Sequence, residues 1–283
     1  MITDVKICRG DQCMKFDYKS DLMLSKIDGN ASAAPSVKIQ NNAQGDGGYI
    51  ESDRVLSREI SISVIPISRN TAENKRSELL KFIIPHEDYD IYVTRNKVTR
   101  KITGRMSGQI RVSKTALWWS DIYTMTFLCK SPFFQDDKDQ TIVFRNIVPL
   151  FAFPLSTYVG AGTVSGMMIT TDKRFIINQG DTPIGIIATI TAYAGQVINP
   201  SISNGNKTVR VICTMNQGDV MEISTVPGNK YVKLNGENFM FFDRNSEFFS
   251  IEKGVSEVSV NAESDTIDNI RSQIVYTNQY SGV

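Results

Sequence analysis

The segment WWSDIYTMTFLCK, residues 118–130, has the two-residue alternation that is typical of a β-strand. Apolar residues occur on both sides of this alternation. Tyr123, Met125, Phe127 and Cys129 fall on one side, and Ile122, Thr124, Thr126 and Leu128 fall on the other. Strands with apolar residues on both sides are usually buried on both sides. We therefore expect a strand that is covered on both of its faces.

Further short strands are predicted on the N-terminal side of this segment, separated by turn residues. They cover residues 5–8, 14–18, 22–27, 36–40, 58–67, 90–95 and 97–111. The stretch 41–54 is polar and rich in glycine around Gly45, Gly47 and Gly48. It is predicted to be a long exposed loop or the tip of a hairpin.

One α-helix is predicted, and it starts at Asn70. The Asn70 side chain can cap free amide groups of the first turn while Glu73 reaches back, which is the capping-box arrangement. Leu79 and Leu80 share the apolar side at helical spacing. Pro85 lacks a backbone donor and ends the helix just before it.

From residue 142 onward the pattern is one of short strands and frequent turns, without a helical stretch. Strands are predicted at residues 209–212, 220–225, 230–234, 248–252, 255–261 and 267–276. The Asn235-Gly236 pair favours a hairpin turn because both residue types tolerate positive φ. This spacing predicts a β-sandwich. The charged run 136–139 between two apolar segments is predicted to be a linker.

Length and charge bound the class of protein. The 283 residues, 41% of them hydrophobic, suffice for one large core or two ordinary ones, and two domains are favoured. Lysines and arginines number 31 against 30 acidic residues. A duplex-binding protein usually has a basic excess, so no sequence-specific nucleic-acid binding is expected. Basic residues between Arg95 and Lys114 are interpreted as a solvated hairpin face, or alternatively as a positive surface towards an acidic partner or a lumen.

The sequence offers no recognisable catalytic, metal or cofactor site. His86 is the only histidine and follows a proline, as expected of a polar loop residue rather than a catalytic base. Cys8 and Cys13 flank a predicted turn, and reduced thiols are the expectation, with oxidation across a hairpin as the alternative. No run of about 18 apolar residues is present, so no membrane span is expected. The early charges likewise predict no secretory signal.

Several landmarks together resemble the phage distal tail protein family. The alternating strand 58–64 leads into the helix, and FLCKSPFF follows at residues 127–134. The second half adds NQGDTP at 178–183, NPSISN at 199–204 and the closing stretch 276–283. The order of these pieces across nearly the whole chain carries the resemblance.

The resemblance implies a mainly β fold with two domains. Residues 1–134 are expected to form a tail-tube-like, β-barrel-like domain with one α-helix, which builds a ring. Residues 135–148 are expected to be a linker, and residues 149–283 a galectin-like β-sandwich.

The resemblance also implies a structural virion protein rather than an enzyme. A hexameric ring at the distal end of the tail tube would connect the tube to the hub or host-recognition apparatus, in a baseplate or tail tip. The implied partners are further copies of the chain, the tail tube protein, and hub, tail-tip or receptor-binding proteins, with no membrane. The implied location is the virion tail, assembled in the bacterial host cytoplasm. Contractile, non-contractile and headless tails remain alternatives.

A closed ring needs an interface that differs on the two sides of each subunit. As a hypothesis, the glycine-rich stretch extends to a neighbouring subunit and contacts it. Tryptophan is enriched at protein interfaces, which makes a tryptophan a second candidate. The candidate interface residues are Gly45, Asp46, Gly47, Gly48, Tyr49 and Trp119.

The alternative function is a carbohydrate-binding accessory module for attachment to the host cell wall. It rests on the aromatic residues of the predicted sandwich: Tyr193, Tyr231, Phe239, Phe241, Phe242, Phe248 and Phe249. Filling of the sandwich core is the favoured interpretation of these residues.

Overall fold

The computed structural model describes residues 2–114, 120–149, 166–170, 173–205 and 207–283. The chain divides into two compact units: residues 1–137 with 279–283 form unit 1, and residues 138–278 form unit 2. The described residues are mainly in β-strands and include one α-helix, which confirms the predicted fold class. None of the described helices is both long and apolar enough to span a membrane.

Unit 1 contains the first eleven strands and the α-helix. The strands are β1 (Ile2–Arg9), β2 (Gln12–Lys15), β3 (Leu22–Asp28), β4 (Pro35–Asn41), β5 (Gly48–Val55), β6 (Arg58–Pro66), β7 (Asp88–Arg95), β8 (Val98–Met106), β9 (Arg111–Lys114), β10 (Asp121–Cys129) and β11 (Phe134–Asp136). The helix α1 covers Ala72–Phe82, and a 3₁₀ turn covers Tyr18–Ser20.

Unit 2 contains the next fourteen described strands. They are β12 (Gln140–Val143), β13 (Arg145–Pro149), β14 (Gly166–Thr170), β15 (Lys173–Asn178), β16 (Ile186–Ala192), β17 (Val197–Ile198), β18 (Ser201–Asn204), β19 (Lys207–Arg210), β20 (Thr214–Met215), β21 (Val220–Ser224), β22 (Tyr231–Leu234), β23 (Glu237–Asn238), β24 (Gly254–Asn261) and β25 (Ile270–Tyr276). A 3₁₀ helix covers Ser264–Asn269, and the last strand, β26 (Gln279–Tyr280), returns to unit 1.

One antiparallel sheet organises unit 1, in the order β2-β1-β7-β8-β10-β6-β3. Strand β9 pairs with β10, and β11 pairs with both β8 and β26. The path is open among the described strands, with β2 and β3 at its edges. Strands β4 and β5 pair with each other in a separate two-stranded sheet, inserted between the paired strands β3 and β6.

Strand β10 is buried on one face only, so the expectation of cover on both faces is wrong for the single chain. The buried residues are Tyr123, Met125, Phe127 and Cys129, whereas Leu128 is 46% exposed. On the outer face, the hydroxyl groups of Thr124 and Thr126 hydrogen-bond to serines of β6 at 2.8 and 3.0 Å. These polar pairs satisfy each other and need no apolar layer above them.

The N-cap of the helix lies one residue after the predicted Asn70. Thr71 occupies the N-cap without a side-chain hydrogen bond, so the predicted capping box does not form. Glu73 pairs with Arg76 at 3.0 Å instead. Leu79 is buried as predicted, but Leu80 is 45% exposed because Phe82 takes the second core position.

Tyr89 fixes the chain that follows the helix. Its buried hydroxyl accepts a hydrogen bond from the Ile84 amide at 2.7 Å and lies 3.0 Å from the Ile84 carbonyl oxygen, to which it donates. The ring packs edge-on against Phe127, with the centroids 5.5 Å apart. This side chain therefore joins the end of α1 to the centre of the sheet.

Unit 2 is a two-layered sandwich. Its larger sheet has the order β12-β25-β16-β21-β22-β23, and its smaller sheet has the order β15-β24-β18-β19. Both sheets contribute to one apolar cluster: β16 and β21 supply Ile190 and Ile223, while β24 and β18 supply Val258 and Ile202. The Asn235-Gly236 pair turns between β22 and β23 with φ of 51° and 86°, which confirms the predicted hairpin turn.

The strands of unit 2 differ from the predictions at three places. Residues 248–252 form only a single bridge, Ile184 with Ile251, rather than a strand. The strand predicted from residue 267 begins at Ile270, after the 3₁₀ helix. Strand β16, which lies between β25 and β21 in the larger sheet, was not predicted.

The segment 135–148, predicted as a linker, contains β12 and parts of β11 and β13. The ring-forming and galectin-like identities of the two predicted domains remain predictions.

Replacing Tyr89 with phenylalanine should lower the free energy of unfolding of unit 1 by about 1–3 kcal/mol, because the Ile84 amide loses its buried acceptor. Urea unfolding would measure this change. Tyr92→Phe is the matched control on the same strand, since the Tyr92 hydroxyl makes no hydrogen bond among the described residues. Equal stability of Tyr89→Phe and the wild type would contradict the assigned role.

Candidate functional site

An exposed hairpin formed by β4 and β5 extends from the β3–β6 edge of the unit 1 sheet. Its strands pair with each other from Pro35–Val55 to Asn41–Gly48. Nearly every residue of the two strands is exposed. The tip closes through a 3.0 Å hydrogen bond from the Asn42 amide to the Gly47 carbonyl.

Glycine is required at the tip for two reasons. Gly47 has a φ of +86°, which disfavours residues with a Cβ. At Gly48 an added Cβ would lie 2.4 Å from the Gln40 carbonyl oxygen across the hairpin. The glycine-rich composition that predicted an exposed tip therefore has a structural cause.

The two faces of the hairpin differ in polarity. Val37, Ile39, Ile50 and Val55 share one face and are 47%, 63%, 63% and 42% exposed, respectively. The same face carries one charged residue, Asp53, which is the cross-strand partner of Val37. A bulge between Lys38 and Ile39 keeps Ile39 opposite Ile50. On the other face, Lys38 pairs with Glu51 at 2.8 Å. An isolated two-stranded hairpin is at best marginally stable in water, so the uncovered apolar face is suited to a partner.

The predicted interface residues lie largely together at this tip. Gly45, Asp46, Gly47, Gly48 and Tyr49 are all exposed there. Trp119, the sixth predicted residue, lies outside the described residues. The apolar face was not predicted as part of the interface, although the alternation of Val37 and Ile39 is its signal in the sequence. The interface role of all these residues is a prediction.

The base of the hairpin is held by a buried arginine. The Arg58 guanidinium donates hydrogen bonds of 3.0 Å to the carbonyl oxygens of Gly29 and Ala31, and one of 2.5 Å to that of Ser281. It lies 4.9 Å from the centroid of the Phe134 ring. No carboxylate pairs with it among the described residues. Desolvation by burial lowers the pKa of Arg58, whereas the nearby Cys129 acts in the opposite direction.

The last residues of the chain pack onto the same base. The Val283 amide donates to the Asn30 carbonyl at 3.0 Å. The Arg100 guanidinium lies 3.7 Å from the Tyr280 ring centroid and donates to the Gly282 carbonyl. These contacts clamp the segment that leads into β4, so residues 279–283 help to set the position of the hairpin.

Several of the basic residues between Arg95 and Lys114 make hydrogen bonds or ion pairs within unit 1. Arg95 donates to the Val283 carbonyl at 3.0 Å. Arg105 pairs with Asp88 at 2.5 Å, and Lys101 with Asp90 at 3.5 Å. The hydrogen bond to Arg105 lowers the pKa of Asp88. The β7–β8 hairpin agrees with the solvated-face interpretation, and several of its charges are neutralised within unit 1.

The cysteines and the histidine show no catalytic arrangement. Cys8 and Cys13 face each other across β1 and β2 and are joined by a disulfide, so the structure contains the oxidised alternative. Burial raises the pKa of Cys129 to about 11, which disfavours its reactive thiolate. His86 is an exposed loop residue with a φ of +69°. Within the described residues, no three His, Cys, Asp or Glu side chains are placed to hold a metal ion.

The aromatic residues considered for carbohydrate binding divide between core and surface. Phe249 is buried, and Phe239 and Phe248 pack against the core of unit 2. Exposed or outward-facing positions are taken by Tyr193, Tyr231, Phe241 and Phe242. The Tyr231 hydroxyl donates to the Glu222 carboxylate, and this hydrogen bond together with partial burial raises the pKa of Tyr231 to about 12.

The second unit matches a known protein family in sequence. Residues 179–280 match the siphovirus-type tail component, C-terminal domain family, SPP1_Dit. A comparison with curated protein sequences gives no match.

The whole chain resembles solved tail structures. It is similar to the Dit protein (gp 19.1) of phage SPP1, with a TM-score of 0.66 and 12% identity over 97% of this chain and 98% of that chain. A chain of the activated phage P2 baseplate with Ca gives a TM-score of 0.53 and 11% identity over 100% of both chains. The corresponding structure with Sr gives 0.52 and 10% over 99% of both chains. At these identities the structures establish a Dit-like fold. With the family match, they confirm the resemblance to the phage distal tail family.

Gly282→Val should loosen the base of the hairpin, because a Cβ there would lie 2.3 Å from the Ala31 carbonyl oxygen. We expect unit 1 to lose about 1–3 kcal/mol of unfolding free energy, as is usual for overpacking. Faster hydrogen exchange of residues 30–34 should accompany the loss. Gly45→Ala is the control, since its added methyl group meets no atom within 4 Å. Unchanged exchange in Gly282→Val would refute the clamp.

Glu222→Gln should bring the pKa of Tyr231 from about 12 back towards its ordinary value of 10.0, because the hydrogen bond to the carboxylate is the main cause of the shift. An ultraviolet difference titration that compares Glu222→Gln with Tyr231→Phe would isolate the signal of this phenol. Glu237→Gln, an exposed change on β23, should leave the pKa unaltered. A raised pKa that survives Glu222→Gln would assign the shift to burial instead.

Proposed function

We propose that this chain, Dit-like in fold and similar to siphovirus tail components in its second unit, is a structural subunit of a phage tail. The observation that carries the proposal is the similarity to SPP1 Dit, which covers 97% of this chain and 98% of that one. That protein is described as a paradigm of the hub adsorption apparatus of phages that infect Gram-positive bacteria. The proposed role involves no catalysis.

In the proposed assembly, six copies form a closed ring at the distal end of the tail tube. The ring connects the tail tube protein to the hub and to tail-tip or receptor-binding proteins. Its place is the virion tail, after assembly in the cytoplasm of the bacterial host. A ring with one kind of contact needs two different complementary surfaces on each subunit. A hairpin that projects from one edge of the unit 1 sheet is suited to be one of them.

The apolar hairpin face supplies the subunit contact in this proposal. Ile39 and Ile50 are each 63% exposed and are directly opposite each other. Their burial against a neighbour would stabilise the contact at about 25 cal/mol per Å² of apolar surface. The tip residues 45–49 extend the reach of the hairpin, and the clamp at Arg58 limits the entropy lost when it docks. The contact is therefore apolar at its centre and polar at its edge.

Light scattering after size exclusion should give a mass near that of six 31.6 kDa subunits, about 190 kDa, for the ring. The double substitution Ile39→Asp with Ile50→Asp should remove this species, because it places two charges in the apolar contact. If the wild type closes only on a template, negative-stain images with tail tube protein should show the ring, and the double variant should lack it.

The control is Gln40→Asp with Ser52→Asp, which adds the same charges to the polar face of the same hairpin. It should keep the ring. Loss of the ring in the control but not in the double variant would reject the apolar contact. A wild type that forms no ring, alone or with tail tube protein, would reject the ring itself.

A further inference from the structure

The outer face of the larger sheet in unit 2 contains a small polar cleft. Its volume is about 270 Å³, and its lining residues are Val143, Thr189, Thr191, Arg271, Ser272 and Gln273. Three adjacent strands supply these residues. Gln273 lies between Val143 and Thr189 across the sheet, and Arg271 lies beside Thr191. The cleft is therefore built on neighbouring strands of the sheet, from the edge strand β12 inward to β16, rather than on loops.

Arg271 is held in place by an aromatic ring. Its guanidinium carbon lies 3.3 Å from the centroid of the Tyr193 ring. Tyr193 follows β16 and is 47% exposed. Stacking of this kind orients the planar guanidinium but leaves its N–H donors available. Among the described residues, no carboxylate pairs with Arg271, so its positive charge can attract an anionic ligand.

The neutral side chains of the cleft also keep their hydrogen-bonding capacity. The side chains of Thr189, Thr191 and Gln273 make no hydrogen bond to any described residue. Two hydroxyl groups and one amide offer both donors and acceptors to a ligand. Val143, 46% exposed, adds an apolar contact at one side. Such a set favours a compact ligand with many hydroxyl groups and a negative charge.

The nearest carboxylate in register is already occupied. Glu222 lies across from Thr189, on the side away from Gln273, and accepts a hydrogen bond from the Tyr231 hydroxyl. Lys233 is the cross-strand partner of Glu222 and lies 4.6 Å from the Tyr231 ring centroid. The negative charge of Glu222 thus faces a lysine on its far side, and the Arg271 end of the cleft remains positive.

We propose that this cleft binds a saccharide or polyol that carries a carboxylate or a phosphate group. Arg271 binds the anionic group through its guanidinium, and Thr189, Thr191 and Gln273 bind hydroxyl groups. Tyr193 is a positioning residue that orients Arg271. This binding role belongs to unit 2 and is independent of the ring proposed for the chain.

The 283-residue chain would be titrated by calorimetry with N-acetylmuramic acid, with glycerol phosphate and with neutral N-acetylglucosamine. The acidic probes should bind at least about tenfold more tightly than the neutral one, because a hydrogen bond to a charged group adds that much. The two acidic probes show whether a carboxylate sugar or a phosphate polyol is preferred. Equal binding of the neutral sugar, or binding of none of the three, would overturn the proposal.

Arg271→Met should weaken binding of the preferred acidic probe at least about tenfold, while Arg271→Lys keeps the charge and should weaken it less. The control is Arg244→Met, an exposed arginine outside the cleft. Thermal unfolding would show that all three variants are folded. Arg271→Gln stands in for Arg271→Met if the latter fails to fold. Full affinity in a folded variant that lacks the Arg271 charge would refute the assigned site.

Discussion

The Arg58 guanidinium joins parts of unit 1 that are far apart in sequence. Its hydrogen bonds reach the segment before the hairpin and residue 281, which is 223 positions away. Burying a cation is unfavourable unless its donors are satisfied. Here three backbone carbonyls rather than a carboxylate accept from the two terminal nitrogens of the guanidinium, while its buried Nε has no hydrogen-bond partner among the described residues. The position of the exposed hairpin depends on this arrangement.

The two units present surfaces of different chemistry. Unit 1 leaves an apolar strip on a hairpin whose other face is polar, and this is the composition of a surface that is meant to be covered. On unit 2, the outer face of the larger sheet around Arg271 presents hydroxyl, amide and guanidinium groups, while large apolar side chains such as Phe175, Met240 and Phe241 are exposed elsewhere. The first surface suits another protein chain, and the second suits a small hydrophilic ligand. The two proposals thus assign subunit contact to unit 1 and ligand binding to unit 2.

Local patterns predicted much of the fold. Three of the predicted features each depend on only a few neighbouring residues. They are the alternation in residues 58–66 and 121–129, the glycines at the hairpin tip and the Asn235-Gly236 turn. The prediction failed where distant residues decide. Leu80 is exposed because Phe82 fills the core position. The hydrogen bond from Arg58 to the Ser281 carbonyl joins residues far apart in the chain, and no sequence pattern near Arg58 predicts it.

The candidate sites were predicted less completely than the fold. The glycine-rich stretch indicated the tip of the hairpin. The apolar face depends on the strand register that places Ile39 opposite Ile50, and this register was not predicted from the sequence. The contact of Tyr193 with Arg271 joins a residue that follows β16 to a residue of β25, so no local sequence pattern contains it. Strand β16 was not predicted because outward-facing threonines interrupt its apolar run. Such interruptions at every second residue are typical of a strand with one buried face.

The return of residues 279–283 to unit 1 means that unit 2 is inserted within the sequence of unit 1. During synthesis, the ribosome completes all of residues 138–278 before it supplies β26 and the Ser281 carbonyl. Domains usually fold as units in the order of synthesis, but unit 1 lacks its final pieces until then. A nascent chain that stops anywhere in unit 2 therefore has a hairpin whose base is not yet closed. The order of translation itself delays the closed base of the hairpin until residues 279–283 have been made.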